Sequence, residues 1–434
     1  MSDTFCPVPW NFQAIQNNGA VRVCCQMNVT PGRGTLKKDD GTPYNAATDD
    51  LTSARNASLI KDVRRQMLNG EWPEDCARCR NEEASNIRSR RIWENEIWKL
   101  TPDTVAEHTS EDGTLDTDAM PLVYYDLRFG NLCNLACRMC GPEDSHTWYK
   151  DWVDIGMGSS WKDTHGKVVL EKNDKGRWVT DAYDWHGSET FWDQLEANLS
   201  NIHMVYMAGG EPLLIERHYD FLQKCIDADV ASNIVLEYNT NLTNVQQRVL
   251  DMWTHFKLVR IGASIDGMDN VLEYQRYPAK WNIIERNLRV IDALPDNVKC
   301  WISSTVTLTN VWQFPDFMLW KLAQGFNKIN NNDVNPIVNF HVCHRPWTSN
   351  IKLLTPELKE RLELHYNSKR AEFEQYGPAV AKNANKVLDS IIKFSKAEDL
   401  SDKLPQFVDF TRKLDNVRNQ NILDVCPEYT ELFS

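Results

Sequence analysis

Three cysteines within eight residues, Cys133-Asn-Leu-Ala-Cys137-Arg-Met-Cys140, constrain this chain more than any other stretch, because they follow directly on the apolar run Leu122-Val-Tyr-Tyr-Asp-Leu-Arg-Phe129. Three thiolates on one loop suit an iron–sulfur cluster better than a disulfide. A [4Fe–4S] cube gives each thiolate its own iron, and ligation by three cysteines alone leaves the fourth iron open to a substrate or cofactor. Zinc normally wants a fourth protein ligand. The bland alternative is three buried thiols acting as small hydrophobes.

The C-x3-C-x2-C spacing after a strand resembles the signature of the radical S-adenosylmethionine (radical SAM) enzymes, whose core is a partial (β/α)6 barrel. The resemblance implies a cluster on Cys133, Cys137 and Cys140 with its open iron chelated by the amino and carboxylate groups of S-adenosylmethionine. It also implies reductive cleavage of the sulfonium to a 5′-deoxyadenosyl radical that removes a substrate hydrogen. One departure is Met139, where the family usually has an aromatic residue; a polarizable thioether can fill that place.

A chain of 434 residues is long enough for two to three domains and a substantial core. No run approaches the roughly 18 consecutive apolar residues of a membrane span. The start, Met1-Ser-Asp-Thr-Phe-Cys6, has no basic region followed by an apolar one. The expectation is a cytoplasmic protein with no membrane partner, in a reducing compartment where clustered cysteines serve metal or redox chemistry. A net charge of −13 opposes a general nucleic-acid binder. The Arg88/Arg90/Arg91 run lies among Glu82, Glu83, Glu94 and Glu96, which predicts a solvated helix face rather than a phosphate site.

From residue 121 onward apolar runs alternate with helical patterns, the signature of βαβ units. Strands are expected at 122–129, 203–208, 234–240, 257–265, 298–307 and 336–342. Between the fourth and fifth, Trp281, Ile284, Leu288 and Ile291 recur at helical spacing. The expected fold is therefore α/β, a partial (β/α)6 TIM-type barrel with reacting groups at the C-terminal ends of its strands.

Three strand ends carry candidate cofactor contacts. The second ends in Gly209-Gly210-Glu211-Pro212, a turn by itself, which at this position looks like the family's GGE motif for the amino group of S-adenosylmethionine. Glu237-Tyr-Asn239-Thr-Asn241 resembles the ribose-contacting segment, with ordinary turn chemistry as the equal alternative. Ser264-Ile-Asp-Gly267 followed by Tyr274-Gln-Arg276 resembles the segment of sulfatase-maturing enzymes in which a serine and an arginine hold the cofactor carboxylate. A hydroxyl and a guanidinium are suitable partners for that group. Here the bland reading is a turn and a surface ion pair.

The first hundred residues hold Cys6, Cys24, Cys25, Cys76 and Cys79. C-x12-G-x4-C followed by C-x2-C describes a four-thiolate site, for which zinc, an iron–sulfur cluster and unligated thiols compete on spacing alone. The loop resembles the opening of the SPASM and twitch modules, which implies an auxiliary [4Fe–4S] cluster on Cys6, Cys24, Cys76 and Cys79. Those modules usually follow the barrel, however, and this one precedes it. The choice between Cys24 and Cys25 is open, with the glycine spacing favouring Cys24.

The expected organisation is a twitch-like module at 1–100, a linker at 101–120 and a core at 121–350, followed by a helical region at 351–434 in which Pro405 marks a break. A Trp-rich insertion at 153–188 fits a lid or plain packing. His341, Cys343 and His344 lie beyond the sixth strand as possible proton donors or ordinary rim residues. The resemblance implies an enzyme acting on a peptide or protein side chain, with an electron donor such as flavodoxin or ferredoxin. The alternatives are a small metabolite such as a sugar or alcohol as substrate, a non-catalytic electron carrier, or a zinc-stapled binding protein.

Overall fold

The computed structural model describes residues 4–27, 34–84, 88–329 and 337–434. Twelve strands are present among them. These are β1 (Phe12–Ile15), β2 (Val21–Arg22), β3 (Tyr124–Arg128), β4 (Ser160–Asp163), β5 (Gly166–Val169), β6 (Glu171–Lys172), β7 (Trp178–Val179), β8 (Met204–Ala208), β9 (Val235–Thr240), β10 (Leu258–Ser264), β11 (Val298–Val306) and β12 (Asn339–Val342). Eight of them form one sheet in the order β12-β11-β10-β9-β8-β3-β1-β2. From β3 to β12 the neighbours are all parallel and in chain order, so each crossover returns to the adjacent position. The six core strands expected from the sequence are these six, although residue 336 of the last lies outside the described residues.

The alternation of side chains along the strands decides what each face does. Leu127, Val205, Leu236, Ile261 and Ile302 are fully buried and point to the helical side. There the helix Trp281–Asp292 turns Trp281, Ile284, Leu288 and Ile291 inward. Burying each of its aliphatic side chains contributes about 2 kcal/mol. On the other face the register aligns Asp126, Tyr206, Glu237 and Arg260 across four strands. A parallel sheet packed on both sides normally has apolar strands throughout, and this face is polar.

The N-terminal residues do not stand apart from the core. β1 pairs in parallel with β3, Phe12 opposite Tyr124 and Ile15 opposite Leu127, and its apolar residues belong to the same core cluster as the other strands. Phe12–Ile15 is buried at every position, Gln13 included, with Phe12, Ala14 and Ile15 supplying its apolar side chains. The expected linker at 101–120 is also folded on. It contains the short helix Pro102–Ala106 with a Thr101 capping box, and Gly113 O accepts from the buried Arg64. The helix expected over 81–100 is two helices, Ala77–Ala84 and Arg90–Trp98, and residues 85–87 lie outside the described set.

Two small hairpins, β4–β5 and β6–β7, make up the insertion. Of its three tryptophans Trp185 is buried and stacks on Phe129 at 5.9 Å between ring centroids, while Trp161 and Trp178 are half-buried. In the C-terminal region the helices are Pro356–Lys369, Pro378–Lys396, a short Thr430–Phe433 and, last of the long ones, Leu404–Arg418. Pro405 opens the last helix instead of breaking it, because a first-turn N–H has no intrahelical partner to lose. Among the described residues no helix is long and apolar enough to cross a membrane.

Candidate active site

The three-cysteine loop leaves the C-terminal end of β3 and is held from every side by backbone bonds. Gly210 N donates to Gly130 O at 2.9 Å and Glu211 N to Leu132 O at 2.8 Å, which fastens the loop to the turn after β8. Ala136 N donates to Tyr277 O at 2.6 Å and Arg138 N to Gln275 O at 2.8 Å, which fastens it to the segment after β10. The side chain of Trp148 donates to Cys137 O at 2.9 Å, and His146 Nδ1 accepts from Cys133 N at 3.2 Å. Glycine is required at 210 by this contact: an added Cβ would lie 2.3 Å from Leu132 O. What the glycine pair approaches is therefore the cysteine loop itself.

Cys133 and Cys137 are buried and Cys140 is half-buried. Arg276 Nη1 lies 3.9 Å from Cys137 Sγ and Asn241 Nδ2 lies 3.9 Å from Cys133 Sγ, so two of the three sulfurs have an N–H donor. The Cys137 thiol is pulled down by its hydrogen bond with Cys140, with the Arg276 charge helping against burial. Cys140 is pushed up by the same bond and by burial. Among the described residues no three His, Cys, Asp or Glu side chains converge closely enough to hold one metal ion. A single zinc with 2.3 Å bonds would bring its sulfurs to about 3.8 Å from one another, whereas a cube takes each thiolate at a separate corner. Donors aimed at thiolate sulfurs are the surroundings a cluster uses to stabilise its charge. The residues present fit that group.

Around the loop stand the other candidate residues. Glu211 is buried, and its carboxylate is occupied: Oε1 accepts from Thr240 Oγ1 at 2.7 Å and from Leu213 N at 3.1 Å, while Oε2 accepts from Asn241 N at 2.7 Å. Burial pushes its pKa up while these bonds oppose the rise. Its side chain thus ties the end of β8 to the end of β9. Arg276 pairs through Nε with Asp266 Oδ2 at 2.7 Å, and both are buried. Burial opposes the guanidinium charge, but Asp266 and Cys137 raise its pKa above the usual value. Ser264 ends β10 on the same edge, opposite Ser303. Asn239 is exposed and donates to Tyr206 Oη at 2.6 Å. His341 Nε2 bonds Thr305 Oγ1 at 2.9 Å, and Cys343 is buried behind it.

A second thiol group is brought together by the N-terminal segment. Cys6, Cys24, Cys76 and Cys79 line one pocket with Met27, Met67 and Trp72. Cys25 lines a different cavity, where Arg90 Nη1 donates to its sulfur. The adjacent cysteines therefore face two different spaces, and it is Cys24 that joins the other three. Burial pushes the Cys6 and Cys79 thiols up, and thiols in such a pocket ionise when a metal coordinates them. The chemistry of this donor set also fits an iron–sulfur cluster. The solvated arginine face expected at 88–91 is only partly so. Arg90 turns inward to Glu94, Cys25 and Tyr124, and Arg91 pairs with Glu83.

Sequence reasoning passed over the polar face of the sheet. Asp126, Arg128, Tyr206, Glu237 and Arg260 line the cavity into which Cys25 faces. Its signal was present as charged residues at alternate positions of otherwise buried strands.

Residues 127–320 match the family described as the Radical SAM superfamily. No curated protein matches the chain. Solved structures similar to it include native anSMEcpe with bound AdoMet, 14% identical, covering 59% of this chain and 63% of that one at a TM-score of 0.37. Streptococcus suis SuiB bound to precursor peptide SuiA is 12% identical, covering 80% and 78% at 0.30. The radical S-adenosylmethionine methyltransferase TsrM from Kitasatospora setae, with cobalamin and [4Fe–4S] cluster bound, is 12% identical, covering 68% and 61% at 0.31. The chain spans less than two thirds of the length of anSMEcpe, and likenesses this distant bear no weight. The family match takes in the three-cysteine loop and the ends of β3, β8, β9 and β10, so residues 127–320 are similar to the Radical SAM superfamily.

Proposed function

We propose that the chain is a radical SAM enzyme in which Cys133, Cys137 and Cys140 hold a [4Fe–4S] cluster with one open iron. The turn Gly209-Gly210-Glu211, Asn239, Ser264 and Arg276 form the walls against which S-adenosylmethionine binds. The carrying observation is Arg276, a buried guanidinium within 3.9 Å of Cys137 Sγ and paired to Asp266, because it sets a fixed positive charge beside a thiolate and near any carboxylate chelating the open iron. When bound, the cluster and S-adenosylmethionine supply a radical able to take a hydrogen atom from an unactivated C–H bond. The chain's own part is to present the three thiols to the iron that ionises them, with the Arg276 charge favouring the thiolate at Cys137, to fix the carboxylate with Arg276 and Ser264, and to keep water from the buried loop.

An auxiliary cluster on Cys6, Cys24, Cys76 and Cys79 completes the reading, in a twitch-like N-terminal module (1–100) joined through 101–120 to a partial (β/α)6 core (121–350), with helices after it (351–434). Such a cluster would accept an electron from the substrate radical or bind the substrate. The substrate is a peptide or protein side chain, with a small metabolite as the alternative. A flavodoxin or ferredoxin of the cytoplasm would supply the electron.

The test is anaerobic purification with iron and sulfide counting, then dithionite reduction and assay for 5′-deoxyadenosine. About eight irons per chain are expected for two cubes, falling to about four in Cys133→Ala/Cys137→Ala/Cys140→Ala and in Cys6→Ala/Cys24→Ala alike. Zinc in place of iron, or reduced protein that leaves S-adenosylmethionine intact, would overturn the reading.

A further inference from the structure

The cavity on the polar face of the sheet carries the inference. Its charged walls are made in pairs that are left incomplete. Asp126 is 1% exposed, and neither carboxylate oxygen has a hydrogen-bond partner among the described residues; Arg128 Nε stands 3.6 Å from Oδ1. Arg128 Nε is likewise without a hydrogen bond. Two strands further along the same row, Glu237 Oε2 has no well-formed hydrogen bond and lies 3.2 Å from Arg260 Nη1. Arg260 is held between the indoles of Trp93 and Trp301 at 5.7 and 5.6 Å. The remaining arginines of the lining are already matched outside it, Arg88 by Glu96 and Arg90 by Glu94.

Buried polar atoms are nearly always hydrogen-bonded, and a group of unsatisfied ones around an open space marks where a ligand completes them. The sign of that ligand follows from the balance. Two carboxylates and two guanidiniums face the space, so a purely cationic or purely anionic ligand would leave one sign unmatched in a buried site. The charges are also separated: Asp126 and Arg260 are three strand spacings apart, about 14 Å along the sheet. Side chains reaching inward shorten this to the length of a few extended residues.

We infer that this cavity binds a short zwitterionic peptide, its free ammonium on Asp126 and its free carboxylate on Arg260. Calling that ligand a substrate rests on the radical SAM reading; the binding itself does not. A peptide joining Asp126 to Arg260 would lie across β3, β8, β9 and β10 at one level of the sheet, with Cys25 among the residues that line its cavity.

The experiment is calorimetric titration of the purified, cluster-loaded protein with trialanine, N-acetyl-trialanine and trialanine amide. Trialanine is expected to bind at least tenfold more tightly than either blocked form. Asp126→Asn should remove the penalty for acetylation and keep that for amidation, and Arg260→Gln should do the reverse, a pattern that loss of fold cannot produce. Should one variant fail to fold, the other still tests its own end of the peptide. No binding of trialanine, or equal binding of the three peptides, would overturn the inference. Wild-type S-adenosylmethionine cleavage is measured in parallel: peptide selectivity without cleavage sinks the enzymatic reading alone, and cleavage without selectivity sinks this inference alone.

Discussion

Glu211 offers the sharpest division between a residue that serves a ligand and one that serves the fold. The motif resemblance predicts that the turn contacts an ammonium, yet the carboxylate already accepts three hydrogen bonds, from Thr240 Oγ1, Leu213 N and Asn241 N. Replacing it with alanine orphans two backbone N–H groups and a hydroxyl in a site that is 1% exposed to solvent. Each orphan costs about 1–3 kcal/mol. Burial of the carboxylate works against the native state, as its raised pKa indicates, and is relieved by the substitution. The net loss for Glu211→Ala is therefore about 3 kcal/mol. Glu211→Gln retains one acceptor oxygen but turns an amide N–H toward one of the donors, for a loss of about 1–2 kcal/mol. Anaerobic urea unfolding of the cluster-loaded protein, followed by tryptophan fluorescence, reads both numbers, and calorimetry with S-adenosylmethionine reads ligand affinity on the same samples. Stability within about 0.5 kcal/mol of wild type for the alanine variant, combined with lost affinity for S-adenosylmethionine, would refute the structural assignment of this carboxylate.

Other perturbations probe separate parts of the site. Asp266→Ala leaves the buried Arg276 without its 2.7 Å partner and should cost about 3–5 kcal/mol in the same unfolding assay, so an unchanged midpoint would contradict the pairing. Gly210→Ala drives a Cβ to 2.3 Å from Leu132 O and should lower bound iron, while Gly187→Ala, with open space around it, should leave iron content as in wild type. Lys321 is buried, its pKa lowered to about 8 by burial, and its ammonium donates to Ile337 O. Between pH 8 and the unfolded-state value near 10.4 the unfolded chain binds this proton and the native state does not, so stability should rise across that window by up to about 3 kcal/mol. Below pH 8 this contribution is flat, and Lys321→Met should remove the slope; a slope identical to wild type would show that other groups cause it.

How far the sequence could be read depended on whether a signal was local. The six core strands stand out because each is a short apolar run bounded by turn residues, and the helix Trp281–Asp292 because its apolar stripe repeats every three or four residues. β1 was not seen because Phe12–Ile15 is only four residues long, and its partner Tyr124–Arg128 lies more than a hundred residues away. That one pairing also carries the apolar side chains of β1 into the sheet's own core. Pro405 was misplaced because proline at a first turn and proline at a break look the same without the neighbouring backbone.

The candidate site divides along the same line. The structure adds a distinction that the cysteine spacings left open, by turning Cys24 and Cys25 toward different cavities. The polar row was overlooked for a different reason: Glu237 and Arg260 each interrupt an apolar strand at one position and Asp126 shares its strand with Arg128, and charges met one strand at a time read as surface residues. Only the parallel register puts the three on a common level with Tyr206 between them. A charge at one alternate position of a strand is weak evidence. Charges at the same level of several parallel strands are strong evidence, because a packed parallel sheet would exclude every one of them and a cavity keeps them all.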